Sequence, residues 1–174
     1  DWEGIIFMKP GSDQSILDHC IIEYAKNGIM ANDVNFTLSN SIARWSTGCN
    51  VGFLRSSPTI IHNRLYESGH GVIEMEGYCH PTIKYNTIWG GRNGIFVSIE
   101  SHATIQHNII RDLRAQGSGI QITSNSSATI EYNTITGDYT GITIFAACSA
   151  SEIIIERNNI YNNTCNIHLQ TVED

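Results

Sequence analysis

One pattern returns along this chain at steps of 22 to 25 residues: a β-branched residue, two variable residues, Asn, any residue, then Ile or Leu. It reads Ile60-Ile61-His62-Asn63-Arg64-Leu65, then Ile83-Lys84-Tyr85-Asn86-Thr87-Ile88, then Ile105-Gln106-His107-Asn108-Ile109-Ile110. It continues as Ile130-Glu131-Tyr132-Asn133-Thr134-Ile135 and Ile155-Glu156-Arg157-Asn158-Asn159-Ile160. Two weaker copies precede these, centred on Asn40 and on Cys20, which stands where Asn is expected. A fixed period of this length means that each repeat is one unit stacked on its neighbours, because no single unit can bury its own apolar face.

About eight residues after each Asn comes a second element, Gly followed by an alternating apolar strand. Its copies start at Gly4, Gly28, Gly52, Gly71 or Val72, Gly94, Gly119 and Gly141, with Asn166 in the last. Asn in place of Gly suggests a left-handed backbone at that point. Helical-pair repeats are too long for this period, and a chain rich in Ile, Thr and Asn is poorly suited to helix. Leucine-rich repeats share the length, but Ile stands where Leu should dominate. The pattern predicts an all-β solenoid of about seven coils with two or three strands per coil, each strand about 4.8 Å from its copy. The Asn amides are then expected to bond the backbone of a tight bend and one another. This makes Cys20, Asn40, Asn63, Asn86, Asn108, Asn133 and Asn158 the rungs of a structural ladder.

From about Gly4 to Leu169 these residues resemble the right-handed parallel β-helix repeat of the pectin-lyase-like superfamily. The resemblance implies the fold. It does not select a function, since that superfamily holds polysaccharide lyases, glycoside hydrolases, tailspikes, adhesins and structural surface proteins.

The bulk properties narrow the choice. A chain of 174 residues suits a single domain over 1–174, either the mature form or a piece of a longer secreted protein. The net charge of -7 and the lack of a basic stripe argue against nucleic acid as a partner. No apolar run is long enough to span a membrane as a helix. The five cysteines (Cys20, Cys49, Cys79, Cys148 and Cys165) lack metal-ligand spacing and, being odd in number, cannot all pair internally. Free thiols are expected. Three N-x-[ST] sequons, at Asn35, Asn125 and Asn162, fit an extracellular or cell-surface location.

Enzymes of the resembled superfamily work on the outer face of one sheet, and here the Gly-led strands would supply it. With Ile95, Val97 and Ile99 turned inward, Phe96, Ser98 and Glu100 point out. Burying Glu74 and Glu76 is costly, so Ile73 and Met75 are assigned inside and the two carboxylates outside. The catalytic candidates are therefore Glu74, Glu76 and Glu100 on adjacent coils, at a separation within the roughly 5–9 Å that glycosidases use. Phe96, Arg92, Arg111 and Arg114 are the candidates for carbohydrate contact. The histidines His19, His62 and His107 fall one or more coils apart and make no shared metal site. No cofactor is expected: an acidic cluster can hold Ca²⁺, but no Asp-rich loop supports one here.

The loops between repeats are short, the longest near 44–50, 111–118 and 145–151, which leaves little to wall a catalytic cleft. The ends carry no amphipathic capping helix: either the caps belong to the rest of a longer protein or neighbours cover the ends, and the second option points to end-to-end or lateral self-association. The leading expectation is thus a non-catalytic extracellular assembly module of a cell-surface or filamentous protein. The alternative is a domain that binds or cleaves polysaccharide.

Overall fold

In the computed structural model, residues 2–9, 13–114, 116–145 and 153–170 are described. They wind into a parallel β-solenoid of about seven coils, each built from three short strands. The first sheet has eight strands: Ile5–Met8, Ile29–Asn32, Val51–Leu54, Ile73–Glu76, Ile95–Ser98, Ser118–Ile122, Thr140–Phe145 and Cys165–Gln170. The second and third sheets have seven strands each, and every named pairing is parallel between consecutive coils. The third sheet is the one that follows the repeated Asn. Among the described residues no helix is long and apolar enough to cross a membrane.

Alternation fills the interior. Ile29, Val51, Ile73, Ile95, Ile120 and Ile142 stand in one inward column of the first sheet, and all are fully buried. Leu38, Ile60, Ile83, Ile105 and Ile130 do the same in the second sheet. Ala43, Leu65, Ile88, Ile110 and Ile135 do so in the third. A stiff β-branched side chain packs well on a copy of itself one strand away, which is why Ile is repeated rather than Leu. Glu74 and Glu76 point outward and Met75 is buried, as the cost of burying carboxylates requires.

Three corners close each coil, and each turns on a left-handed residue. Before the third sheet these are His19, Asn40, His62, Tyr85, His107, Tyr132 and Arg157, with φ between 48° and 59°. After it come Tyr24, Trp45, Glu67, Gly90, Asp112, Gly137 and Asn162. After the first sheet come Asp33, Arg55 and the pairs Gly77-Tyr78, Ile99-Glu100 and Ser124-Asn125. A left-handed non-glycine residue costs roughly 1 kcal/mol, so each corner needs compensation.

It comes from the next residue in the chain. At the Asn corner the Asn63 N–H donates to Asn86 Oδ1 at 2.9 Å, Asn86 N–H to Asn108 Oδ1 at 3.0 Å, and Asn108 N–H to Asn133 Oδ1 at 2.9 Å. Each Nδ2 then bonds the next Oδ1 and a strand carbonyl, as Asn108 Nδ2 does with Asn133 Oδ1 at 3.0 Å and Ile83 O at 2.9 Å. At the other two corners several coils follow the same rule with other residues. Val34, Cys79 and Ser101 donate their N–H to the hydroxyls of Ser56, Ser101 and Ser126. Leu113 and Asp138 donate theirs to Asp138 Oδ1 and Asn163 Oδ1.

The register corrects several expectations. Ser41, not Asn40, occupies the column of Asn63: its N–H donates to Asn63 Oδ1, and its Oγ accepts from the Cys20 N–H. Asn40 is the left-handed corner residue one place earlier and donates to Asp18 instead. Asn50, not Gly52, precedes the third strand of the first sheet, and Gly52 lies outward beside Met30 and Glu74. Except at Gly4, with φ at 109°, the glycines of that column are also not there for a positive φ. At Gly119 a Cβ would sit 2.6 Å from the Gly141 carbonyl oxygen, and at Gly94 one would sit 2.5 Å from that of Gly119. Close approach of successive coils is the reason.

Replacing Asn108 by Ala is expected to lower stability by about 2–4 kcal/mol, because it strands a buried N–H above and a carbonyl beside it. Urea unfolding of the variant against the parent measures this.

Candidate functional site

The outer face of the first sheet carries two columns. One runs Ile6, Met30, Gly52, Glu74, Phe96, Gln121, Thr143 and His168. The other runs Met8, Asn32, Leu54, Glu76 and Ser98. The face therefore changes along its length from apolar, through acidic and aromatic, to polar.

A shallow cleft of about 300 Å³ opens over the middle of the first column. Glu74, Phe96 and Gln121 form its floor, and His70, Arg92 and Gln116 rise from the turns that lead into three successive strands. The turns are rigid for identifiable reasons. Glu74 Oε1 accepts the Gly71 N–H at 2.7 Å, which fixes the carboxylate against its own strand entry. Asn93 Oδ1 accepts the Ser118 N–H at 3.0 Å, and the Arg92 N–H donates to His70 O at 2.8 Å. Among the described residues neither Arg92 nor Glu74 forms an ion pair. The cleft thus offers one guanidinium, one carboxylate oxygen with a free lone pair, two amides and an aromatic face.

Not all the expected residues gather there. Glu74, Phe96 and Arg92 do. Glu76 points outward on the same strand and borders a second depression, of about 200 Å³, between Met30, Cys49 and Leu54. Glu100 does not join them. The strand ends at Ser98, and Ile99 and Glu100 form a left-handed corner; Ile99 is 44% exposed rather than buried, and Ser98, outward in the register, is only 6% exposed. Alternation holds only to the end of the strand, two residues before Glu100, because the chain turns there. Arg111 lies on the third sheet, over the Trp89 ring and beside Asp112. Arg114 reaches back two coils to Glu67 at 2.6 Å. His70, Gln116 and Gln121 also line the cleft. The register with Phe96 marks Gln121 and the row of turns that carries Arg92 marks His70, while no local signal marks Gln116. The 145–151 connection and Cys148 fall largely or wholly outside the described residues.

The aromatic rows are closed to ligands by their own stacking. His62, Tyr85, His107 and Tyr132 stack face to face at 4.9, 4.8 and 5.0 Å, so only ring edges meet solvent. Tyr66 and Trp89 are 4.1 Å apart and nearly parallel, with Arg111 over the Trp89 ring. Phe96 has no such partner among the ring contacts of the described residues.

The thiols divide by depth. Cys49 and Cys79 are buried, and Cys20 and Cys165 are half-buried. Burial pushes the Cys49 thiol up to about 12, with the Glu74 carboxylate adding to the shift. In the native protein at pH 8, Cys49 is expected to resist a thiol reagent that labels Cys20 and Cys165, and to react once the chain is unfolded. Mass mapping of the labelled peptides checks this.

Three parallel sheets, three corners per coil and a polar outer face define a parallel β-solenoid with a surface cleft. The chain belongs to the right-handed beta helix family, whose model, described as "Right handed beta helix region", matches residues 4–164. Searches of curated proteins and of solved structures gave no match.

Proposed function

We propose that this right-handed β-helix domain binds a carbohydrate chain along the first sheet, without cleaving it. The supporting observation is the cleft at Phe96, a ring with no stacking partner on that face among the described residues, bordered by Glu74, Arg92, Gln116 and Gln121. Sugar rings combine apolar C–H faces with hydroxyls that donate and accept, and this lining has both kinds of partner. Coil repetition presents such contacts in a straight row, which suits an extended chain. The non-catalytic reading rests on the carboxylates: Glu74 is the one carboxylate lining the cleft, Glu74 and Glu76 border the neighbouring depression from the same strand, and Glu100 sits on a corner, so among the described residues no acid–base pair faces across the cleft.

A panel of neutral and acidic polysaccharides, scored for binding and for released product, tests this. Binding without product is the expected result. Phe96→Ala and Arg92→Ala are each expected to weaken binding about tenfold, or about 1.4 kcal/mol, and Glu100→Gln to leave it unchanged. No binding across the panel, or binding indifferent to Phe96, would overturn the proposal.

An assembly role is a second reading, with its own observation. Ile6, Met8, Ile16 and Ile21, on all three faces of the first coil, are 54–68% exposed. All four point outward in the register, where the next coil places Met30 beside Ile6, Asn32 beside Met8, Thr37 beside Ile16 and Ile42 beside Ile21. Such a belt favours burial against another protein surface or a second copy. Sedimentation velocity across a concentration series is expected to show association that Ile6→Lys and Ile16→Lys weaken. A parent protein that stays monomeric at high concentration removes this reading. The sequons at Asn35, Asn125 and Asn162 all lie on exposed residues, which supports an extracellular setting for either role.

A further inference from the structure

The corner after the third sheet contains one residue that does not match its place. In the last coils of this column, at Asp138 and Asn163, the residue after the left-handed turn accepts the N–H of its counterpart one coil earlier. Asn163 does so with Oδ1 for Asp138 at 2.9 Å, and its Nδ2 donates to the Ile135 carbonyl at 3.2 Å. Asp138 does the same with Oδ1 for Leu113 at 3.0 Å. Its other oxygen occupies the position of an amide nitrogen, and there the pattern calls for a donor. The matching acceptor is the carbonyl of Ile110, which pairs with Ile135 in the sheet. Asp138 is 4% exposed, and its Oδ2 is buried with no hydrogen-bond partner. A carboxylate cannot donate, and a carboxylic acid can.

We propose that Asp138 is a protonation-dependent latch between the fifth and sixth coils, a neutral carboxylic acid standing in for an amide. Protonated, its hydroxyl donates where Asn163 donates its N–H. On ionisation the proton passes to solvent, and a buried charge is left facing a carbonyl oxygen. The surroundings do not compensate that charge. On the preceding coil the nearest charged group is the Asp112 carboxylate, which opposes ionisation, and Arg111 is paired with it. Arg114 is held by Glu67. The following coil presents the neutral Asn162 and Asn163, and the first sheet presents Gly119, whose Cβ position is 3.2 Å from Oδ2. Burial raises the carboxyl to about 6, against the opposing effect of the Leu113 N–H, and Asp112 adds to the rise.

The direction follows from linkage. The folded carboxyl titrates near 6 and the unfolded one near 3.8. The stability this group supports is therefore complete below about pH 4, is lost as pH rises towards 6, and is level above that.

Asp138→Asn installs the missing donor. Unfolding equilibria of the parent and Asp138→Asn, measured from pH 4 to pH 7.5, give the test, because other titrating groups cancel in the difference. The folding constant of the parent relative to the variant is expected to fall between tenfold and a hundredfold over that range. Parallel pH curves, or a variant less stable at every pH, would overturn the latch. Infrared titration of the parent is a second readout that does not depend on the variant folding. A neutral carboxylic acid band at pH 5 that fades near pH 6 supports the assignment, and its absence at pH 5 refutes it.

Discussion

Everything in this molecule depends on how the backbone N–H that follows each left-handed corner is satisfied. A parallel solenoid must turn the chain three times per coil, and each turn aims an N–H into the dry interior. Leaving it unpaired costs about 1–3 kcal/mol. At the first corner, and in several coils at the other two, the protein answers with a side-chain oxygen from the equivalent place in the next coil: Asn at one corner, Ser at another, Asp or Asn at the third. One contact therefore fixes both the bend and the stacking register. It also explains why polar residues such as Asn86, Ser101 and Asp138 lie in an otherwise aliphatic core.

Once the interior and the corners are fixed, the outward positions are free to differ between coils, and they do. The second sheet shows a file of threonines, Thr37, Thr59, Thr82, Thr104 and Thr129, in one outward column. The third shows Arg and aromatic residues stacked on one another. Among the described residues the first combines an unstacked ring, Phe96, with turn residues that rise around it. The short loops contribute through position: one residue from each of three successive turns, His70, Arg92 and Gln116, builds a rim that no single long loop supplies.

Asp138 shows the same corner rule under strain. The slot accepts any side chain with an oxygen in the right place, so a carboxyl fits the geometry as well as an amide does. The difference between them is a proton, and at this depth a proton is a matter of stability.

The spacing of Asn and Ile by itself determined the coil length, the parallel stacking and the inside of most strands. Each of these follows from local periodicity that repetition multiplies until it is unambiguous. The sequence also placed Glu74 and Glu76 outside, through the cost of burying charge. It misplaced Asn40 and Glu100, because a shift of one residue, or a strand ending two residues early, changes no composition and only moves the corner. The Ser and Asp corners were hidden for a related reason: their residue types vary from coil to coil while the hydrogen bond stays the same. Which side chains share the cleft, which aromatic faces remain open and which carboxyl lacks a partner were decided only by the tertiary structure. These are contacts between residues 20 to 50 positions apart, set by register, and no local pattern carries them.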